Sequence, residues 1–370
     1  MKATAPAAWY RPGRRPSRGA VAGLLVSLAL VAAATLAPAN TFAAAPAGFV
    51  GLQSWDSPTS AELDTFRRAK VKVVRAQVSW AGVEATKGEY RWDFYDRLFA
   101  DAGRQGITIL PVLLGSPAWA TSKQGSPPDS KSERQAFYDF AKAAAYRYRP
   151  NSAFWRTRGI NGTLVGARQL QVWNEPNLGS YWNGRPNASE YARLVRGANE
   201  GIKRGNPDAT TILGGMPWSR GPTPPDFLRA MFRADPKLSN AFGSAAVHPY
   251  DRTPDGSVGG VRLVRQTLNR LPGARYRSIW VTEIGWATGR PDNRFQVREA
   301  TQARNLELFY NKLLAVRKSY RIKGAIWFSF KDRPRADWWA ERTGLVRGNG
   351  SAKPSWYRLK CVTGAPGCRR

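Results

Sequence analysis

From about residue 46 onward the chain alternates between two hydrophobic periods, and that alternation limits its folds more than any other feature. Eight short runs rich in apolar and β-branched residues recur: FVGLQSW (49–55), VKVVRAQVSW (71–80), ITILPVLLG (107–115), ARQLQVWNE (167–175), TTILGGM (210–216), SAAVHPY (244–250), SIWVTEIGW (278–286) and GAIWFSF (324–330). Nearly unbroken apolar runs of this length are what strands covered on both faces require. Amphipathic helical patterns separate most of them. TSAELDTFRRAK opens with a capping box, Thr59 and Glu62, and WDFYDRLFADAGRQG stops at Gly106. Further helical patterns cover 132–148, 189–205 and 295–319, with shorter ones in DFLRAMFRAD and VGGVRLVRQTLNRL. Eight strand–helix units over residues 46–358 predict an α/β chain folded as a single (β/α)₈ TIM barrel, a fold of typically ~250 residues. A doubly wound open sheet uses the same alternation, but no glycine fingerprint follows the first strand.

The N-terminus reads differently. Lys2, Arg11, Arg14, Arg15 and Arg18 precede an apolar run at 20–36, and Ala-x-Ala options follow at 37–39 and 43–45. This is the layout of a secretory signal peptide, so residues 1–45 are expected to be removed and the protein to be secreted or extracytoplasmic. The competing reading is an anchor that stays attached, because 17 apolar residues approach spanning length. Arg14-Arg15 is compatible with the twin-arginine route. At the other end, Cys361 and Cys368 are the only cysteines. In an oxidising compartment they are expected to form a disulfide within a tail at 359–370. Asn161, Asn187 and Asn349 each begin an N-x-S/T triplet.

Residues 1–45 hold five of the 57 Lys and Arg and none of the 26 Asp and Glu, so their removal leaves a net charge of +26. Such a balance fits an anionic cell envelope or an acidic polysaccharide, or simply an Arg-rich composition spread over helix faces. The basic residues follow no nucleic-acid-binding motif, and no nucleic-acid partner is expected. His248 is the sole histidine and stands far from the cysteines, so neither a metal nor another cofactor is expected.

In a barrel, functional side chains sit where strands end. Those ends carry Arg75 to Trp80, Ser116 to Trp119, Asn174-Glu175, Trp218, His248 and Tyr250, Glu283 and Trp327. Two glutamates interrupt apolar runs, QVWNEPN and VTEIGW, where an unpaired carboxylate costs several kcal/mol (roughly; more if fully buried). Carboxylates, hydrogen-bonding partners and flat aromatic rings together are what a sugar-binding site requires. Strict period-two alternation groups Ile279, Val281 and Glu283 on one face, and Ala246, His248 and Tyr250 on another. If both faces point inward, Glu283, His248 and Tyr250 share the mouth.

These motifs carry a resemblance. Asn174-Glu175-Pro176 after the fourth strand and Glu283 in the seventh look like clan A of the glycoside hydrolases. WAGVEATKGEYRWDFYD (80–96), HPY (248–250) and GLVRGNGSAKPSWY (344–357) are similar to further clan segments. The likeness runs from Phe49 to Tyr357 and is closest to family 39 and bacterial exopolysaccharide hydrolases. It implies a retaining glycosidase acting on an oligo- or polysaccharide by double displacement, with the site at the C-terminal strand ends. By resemblance Glu175 is the acid/base, Glu283 the nucleophile, Asn174 the partner of the sugar 2-hydroxyl, and Trp327 a platform under the sugar. Arg75 is expected to pair with Glu283, and Tyr250 to donate to it with His248 alongside. Trp80 and Trp119 are expected at the substrate, and Trp182, Trp218, Trp286, Trp338 and Trp339 are further mouth-facing candidates. Asp332, Arg333 and Arg335 offer selection of a charged sugar. The other class of function compatible with these residues is a non-catalytic cell-wall or glycan-binding protein on the same barrel. A carbohydrate polymer is the expected partner and a monomer the expected state.

Overall fold

The computed structural model describes residues 43–333 and 337–369. The signal-like segment up to residue 42 and Arg335 therefore lie outside the described residues. Eight barrel strands appear in chain order: β1 Val50–Gln53, β2 Val73–Ser79, β3 Thr108–Leu114, β4 Gln169–Val172, β5 Thr210–Leu213, β6 Ser244–His248, β7 Ser278–Ile284 and β8 Ile322–Phe328. Each pairs in parallel with its neighbours, and β8 returns to β1 with Val50 opposite Ala325. The sheet is thus a closed (β/α)₈ barrel. The fifth run is interrupted at Gly214-Gly215 and resumes as a two-residue strand, Met216–Pro217, beside β6. Gly215 is a steric necessity: a Cβ there would lie 1.9 Å from Nε2 of His248.

Eight principal helices cover the outside: α1 Ser60–Arg68, α2 Asp93–Arg104, α3 Lys131–Arg147, α4 Ala188–Gly205, α5 Pro224–Ala234, α6 Pro254–Arg270, α7 Glu299–Val316 and α8 Pro354–Thr363. The Thr59/Glu62 capping box starts α1, and a second one, Ser130/Glu133, starts α3. Prolines stand at the first turn of α5, α6 and α8, where a missing N–H costs nothing. The last helix runs through residue 358, so the segment expected as a tail from 359 is in part the closing helix of the barrel. Cys361, within α8, is disulfide-bonded to Cys368. No helix among the described residues is long and apolar enough to cross a membrane.

Two apolar layers follow from strand alternation. The larger lies between barrel and helices, built from Val74, Val78, Leu113, Val172, Val247, Ile279, Val281 and Trp327 against helix side chains such as Phe309. The smaller fills the barrel itself with Leu110, Ile212, Ala246, Trp280 and Ile326, and Val73 packed against them. Side chains from different strands interdigitate there as in a packed core. Gly51 on β1 makes room for them, since a Cβ at this position would approach Ile326 Cδ1 to 2.3 Å and the Val73 carbonyl to 3.0 Å.

Gly51→Val therefore overpacks the barrel interior and is expected to lower stability by ~1–3 kcal/mol. A shift of the urea midpoint with unchanged slope would register it. An unshifted midpoint would mean the inner layer is looser than described.

Candidate active site

Above the apolar inner layer, at the C-terminal ends of the strands, charged and amide side chains replace hydrocarbon. Arg75 comes from the middle of β2, points into the barrel and is almost wholly buried. Four of its five N–H donors have partners. Nε donates to Gln171 Oε1 at 3.0 Å, Nη1 to Gln53 Oε1 and to Glu283 Oε1 at 2.7 Å, and Nη2 to Asn174 Oδ1 at 2.7 Å. Four strands or strand ends are thereby tied to one cation. A planar, rigid fork of donors suits that task as an ammonium would not.

Asn174 and Glu175 stand on a tight reversal after β4. Trp173 and Glu175 both take left-handed backbone angles, φ 66° and 42°. For non-glycine residues that costs ~1–3 kcal/mol each and survives only where the surroundings enforce it. Here the Glu175 N–H donates to the Gly215 carbonyl at 3.1 Å, and the Asn177 amide donates to the carbonyls of Pro217 and Pro222 at 2.9 Å. The reversal turns Glu175 back over the barrel. Because Arg75 engages Oδ1 of Asn174, the amide nitrogen is turned away from the guanidinium, and it hydrogen-bonds the Tyr181 hydroxyl.

Glu283 arrives by a different device. Ile279 and Val281 face the helices, and Trp280 faces the interior. Simple alternation would therefore have sent Glu283 outward, so the shared face expected for Ile279, Val281 and Glu283 does not exist. Between Val281 and Ile284 the pairing with β8 slips, three residues on β7 spanning two on β8. This bulge re-aims one side chain. Thr282 and Glu283 consequently both reach into the barrel: Thr282 Oγ1 is 3.1 Å from His248 Nε2, and Glu283 meets Arg75. On β6 the expected alternation holds, with Ala246 in the inner layer.

The mouth therefore gathers Arg75, Asn174, Glu175, His248, Tyr250 and Glu283. One donor atom each from Glu175, His248 and Glu283 lies within 4.8 Å of the others, which brings a carboxyl oxygen of each glutamate within that distance. The trio could converge on a cation in geometric terms, but the Arg75 charge already occupies that role beside Glu283.

Protonation is divided by environment. Burial pushes the Glu175 carboxyl up to about 7 against the opposing pull of Arg75. Glu283 touches the Arg75 guanidinium and accepts from the Tyr250 hydroxyl at 3.1 Å. Burial, and then the Glu283 charge, holds the Tyr250 phenol well above its usual range, so it stays a donor. Burial lowers His248 to about 3, leaving a neutral ring near pH 7. Its Nδ1 is 2.8 Å from Glu175 Oε1. When Glu175 is protonated, its O–H donates to Nδ1 and Nε2–H donates to Thr282. When Glu175 ionises, Nδ1–H donates back and the Thr282 hydroxyl turns to Nε2. His248 thus tracks the acid without competing for charge.

The aromatic residues are placed less as expected. Trp327 is not at the mouth: it packs outward against Trp286, with its indole N–H donating to the Thr343 carbonyl at 3.0 Å. The residue after it, Phe328, takes the inward register and meets Trp55 edge-on at 4.7 Å, and Trp55 meets Trp338 at 5.7 Å. Trp80 is also core, stacked on Phe140 with Nε1 donating to Glu84 at 2.7 Å, and Trp119 donates to the Glu84 carbonyl at 2.8 Å. Both brace the turn after β2. Trp182 and Trp286 are buried. Trp339 meets Tyr250 edge-on at 5.1 Å, and Trp218 borders the same rim. Asp332 is closed off by a buried ion pair with Lys353 at 2.7 Å, while Arg333 lies over the Trp55 ring. Tyr181, Gln53, Gln171 and Thr282 were not anticipated. The Tyr181 hydroxyl is raised by burial and by both glutamates, which places it among them. A tyrosine in the loop directly after N-E-P was the only available signal.

A glycosyl hydrolase family 42 model, beta-galactosidase, matches residues 52–147. Among solved structures, a family 39 glycoside hydrolase from Bacteroides cellulosilyticus WH2 superposes with a TM-score of 0.66 at 22% identity, covering 86% of this chain and 64% of that one. The chain thus spans less than two thirds of that relative's length. The chain resembles the clan A glycoside hydrolases. A monomeric beta-xylosidase from Caulobacter crescentus CB15 follows with a TM-score of 0.61 at 20% identity over 85% and 67% of the two chains. The family 53 catalytic domain of Ignisphaera aggregans gives 0.59 at 18% over 86% and 97%. At these identities the likeness shows the fold. No curated protein sequence matches.

The Glu175 carboxyl sets a stability test. Its folded value, about 7, exceeds the ordinary 4.5. The native state therefore holds a proton that the unfolded chain releases, and this contribution is complete below pH 4.5 and lost as pH rises through 7. A gap of that size is worth roughly 3 kcal/mol. Glu175→Gln is expected to raise the melting temperature relative to the parent at pH 8 and to leave it unchanged at pH 4. Equal effects at both would place Glu175 in water.

Proposed function

We propose that this protein is an exported retaining glycoside hydrolase that cleaves O-glycosidic bonds, β-linked by resemblance, in an oligo- or polysaccharide. The observation that carries the reading is the separation of the two carboxyls. Oxygens of Glu175 and Glu283 lie within 4.8 Å, near the ~5–5.5 Å of double displacement and short of the ~6.5–9.5 Å that an inverting site needs for an intervening water.

The steps follow from the division of protons. Glu283, an anion held by Arg75 and Tyr250, attacks the anomeric carbon as the bond to the leaving oxygen breaks. Glu175 gives that oxygen its proton. The resulting glycosyl ester on Glu283 is hydrolysed by a water whose proton returns to Glu175, so both carboxyls regain their starting state. The raised Glu175 value keeps a large fraction protonated near neutrality, as a general acid requires. The Asn174 amide, oriented by Arg75, hydrogen-bonds the sugar 2-hydroxyl in this reading, a contact that strengthens with oxocarbenium character. Phe328 and Trp55 take the platform role that Trp327 does not fill. A monomer, carbohydrate as partner and envelope association through net charge complete the proposal.

Activity on a panel of aryl glycosides and polysaccharides tests it. Glu283→Ala is expected to abolish turnover, and Glu175→Gln to lower kcat by ~10²–10⁴ on unactivated glycosides. The parent's kcat/KM should fall on the alkaline side with an apparent pKa of about 7, and that limb should vanish in Glu175→Gln. Turnover that survives Glu283→Ala would remove the mechanism.

A further inference from the structure

One rim of the mouth opens into a cavity of about 540 Å³, inside the ~300–1,000 Å³ range of small-molecule sites. Tyr250, the donor to Glu283, forms part of its wall together with Trp218 and Phe295. Three guanidinium groups also line it: Arg252 after β6, Arg262 on α6 and Arg294 in the loop after β7. Among the described residues none of the three has a carboxylate within ion-pair distance, unlike Arg134, Arg196, Arg347 and Arg358, although other arginines such as Arg149 and Arg156 are unpaired as well. Arg294 is held in place by donation to the Trp218 carbonyl at 3.3 Å and by the Phe295 ring 4.7 Å beneath it. Asp251 is the one acid on the lining, and its Oδ1 is turned to the start of α6, accepting from the Thr253 N–H at 3.0 Å and the Thr253 hydroxyl at 3.3 Å.

Helix α6 also leaves part of this cavity unfilled. Gly256, Gly259 and Gly260 face it from α6, and a Cβ on Gly259 would meet nothing within 4 Å. A Cβ on Gly256 would instead run into Asp251 Oδ1 at 2.0 Å and one on Gly260 would press on the Trp218 ring at 3.1 Å, so Gly259 is the position on this face where the helix leaves space open. Aromatic rings suit the C–H faces of a sugar, and unpaired guanidinium forks suit a carboxylate or sulfate.

We propose that this cavity is a subsite for an anionic sugar residue, making the substrate an acidic polysaccharide threaded past Tyr250. The assignment rests on the hydrolase reading for its substrate, but binding tests it separately from turnover.

Full-length Glu283→Gln protein, which holds sugar without cleaving it, is titrated calorimetrically with tetramers of glucuronate, mannuronate and galacturonate. Each is paired with the same oligomer reduced at C6 to the neutral alcohol, and with its 6-O-sulfate. At least one acidic oligomer should bind roughly ten-fold or more tightly than its neutral counterpart. Arg252→Gln/Arg262→Gln/Arg294→Gln should bring that ratio near one, and Gly259→Leu, which occupies the space without disturbing its neighbours, should lower it too. Arg149→Gln/Arg156→Gln, removing charge from a groove beside α3, should leave the ratio standing. Preference for the carboxylate or for the sulfate identifies the anion. Ratios near one for every pair, or an equal loss in the Arg149/Arg156 variant, would overturn the subsite. Acid-selective binding without turnover in the parent would instead retain the subsite and defeat the hydrolase reading.

Discussion

The site depends on one buried cation. Arg75 sits where the packed barrel interior gives way to the mouth, and burying a guanidinium there costs several kcal/mol unless its donors find acceptors. Gln53, Gln171, Asn174 and Glu283 meet four of the five, from β1, β4, the turn after β4 and β7. The charge requires that ring of acceptors, and the acceptors acquire fixed positions from it. Asn174 Oδ1 is taken up by the guanidinium, and Glu283 is the one of the two glutamates in direct contact with it. Pre-organised electrostatics of this kind act without reorganisation when charge develops in the substrate.

Around that node, two local departures from regular structure aim the carboxyls. A bulge in β7 turns Glu283 inward, and a left-handed reversal after β4 turns Glu175 over the barrel axis. Neither follows from strand propensity, and both are destabilising if considered alone. Gly215 allows His248 to lie between them, and burial keeps that ring uncharged. The two glutamates thus share one chamber but not one environment, because only Glu283 has a cation in contact.

Much of this was legible in the sequence, for identifiable reasons. The eight apolar runs recur with the period of strands buried on both faces, so the barrel follows from pattern. N-E-P and the late glutamate announce themselves as polar breaks in apolar strands. Face assignment on β7 was not legible, because one inserted residue inverts a period of two. Tryptophans misled for a related reason: Trp80 and Trp327 end strands, but on the parity that faces the helices, and hydrophobicity does not distinguish that layer from the mouth. Phe328 and Tyr181 depend on parity and loop path. The arginine-lined cavity draws on three loops and a helix face separated in sequence, where only folding makes them neighbours.

The stereochemical course of cleavage bears most directly on the carboxyl pair at the centre of this account. Proton NMR followed from the first seconds of hydrolysis reports the anomer released before mutarotation. Two carboxyls this close predict a first-formed sugar with the configuration of the bond that was cut. A first-formed sugar of opposite configuration would mean that water, not Glu283, reaches the anomeric carbon, and would contradict it.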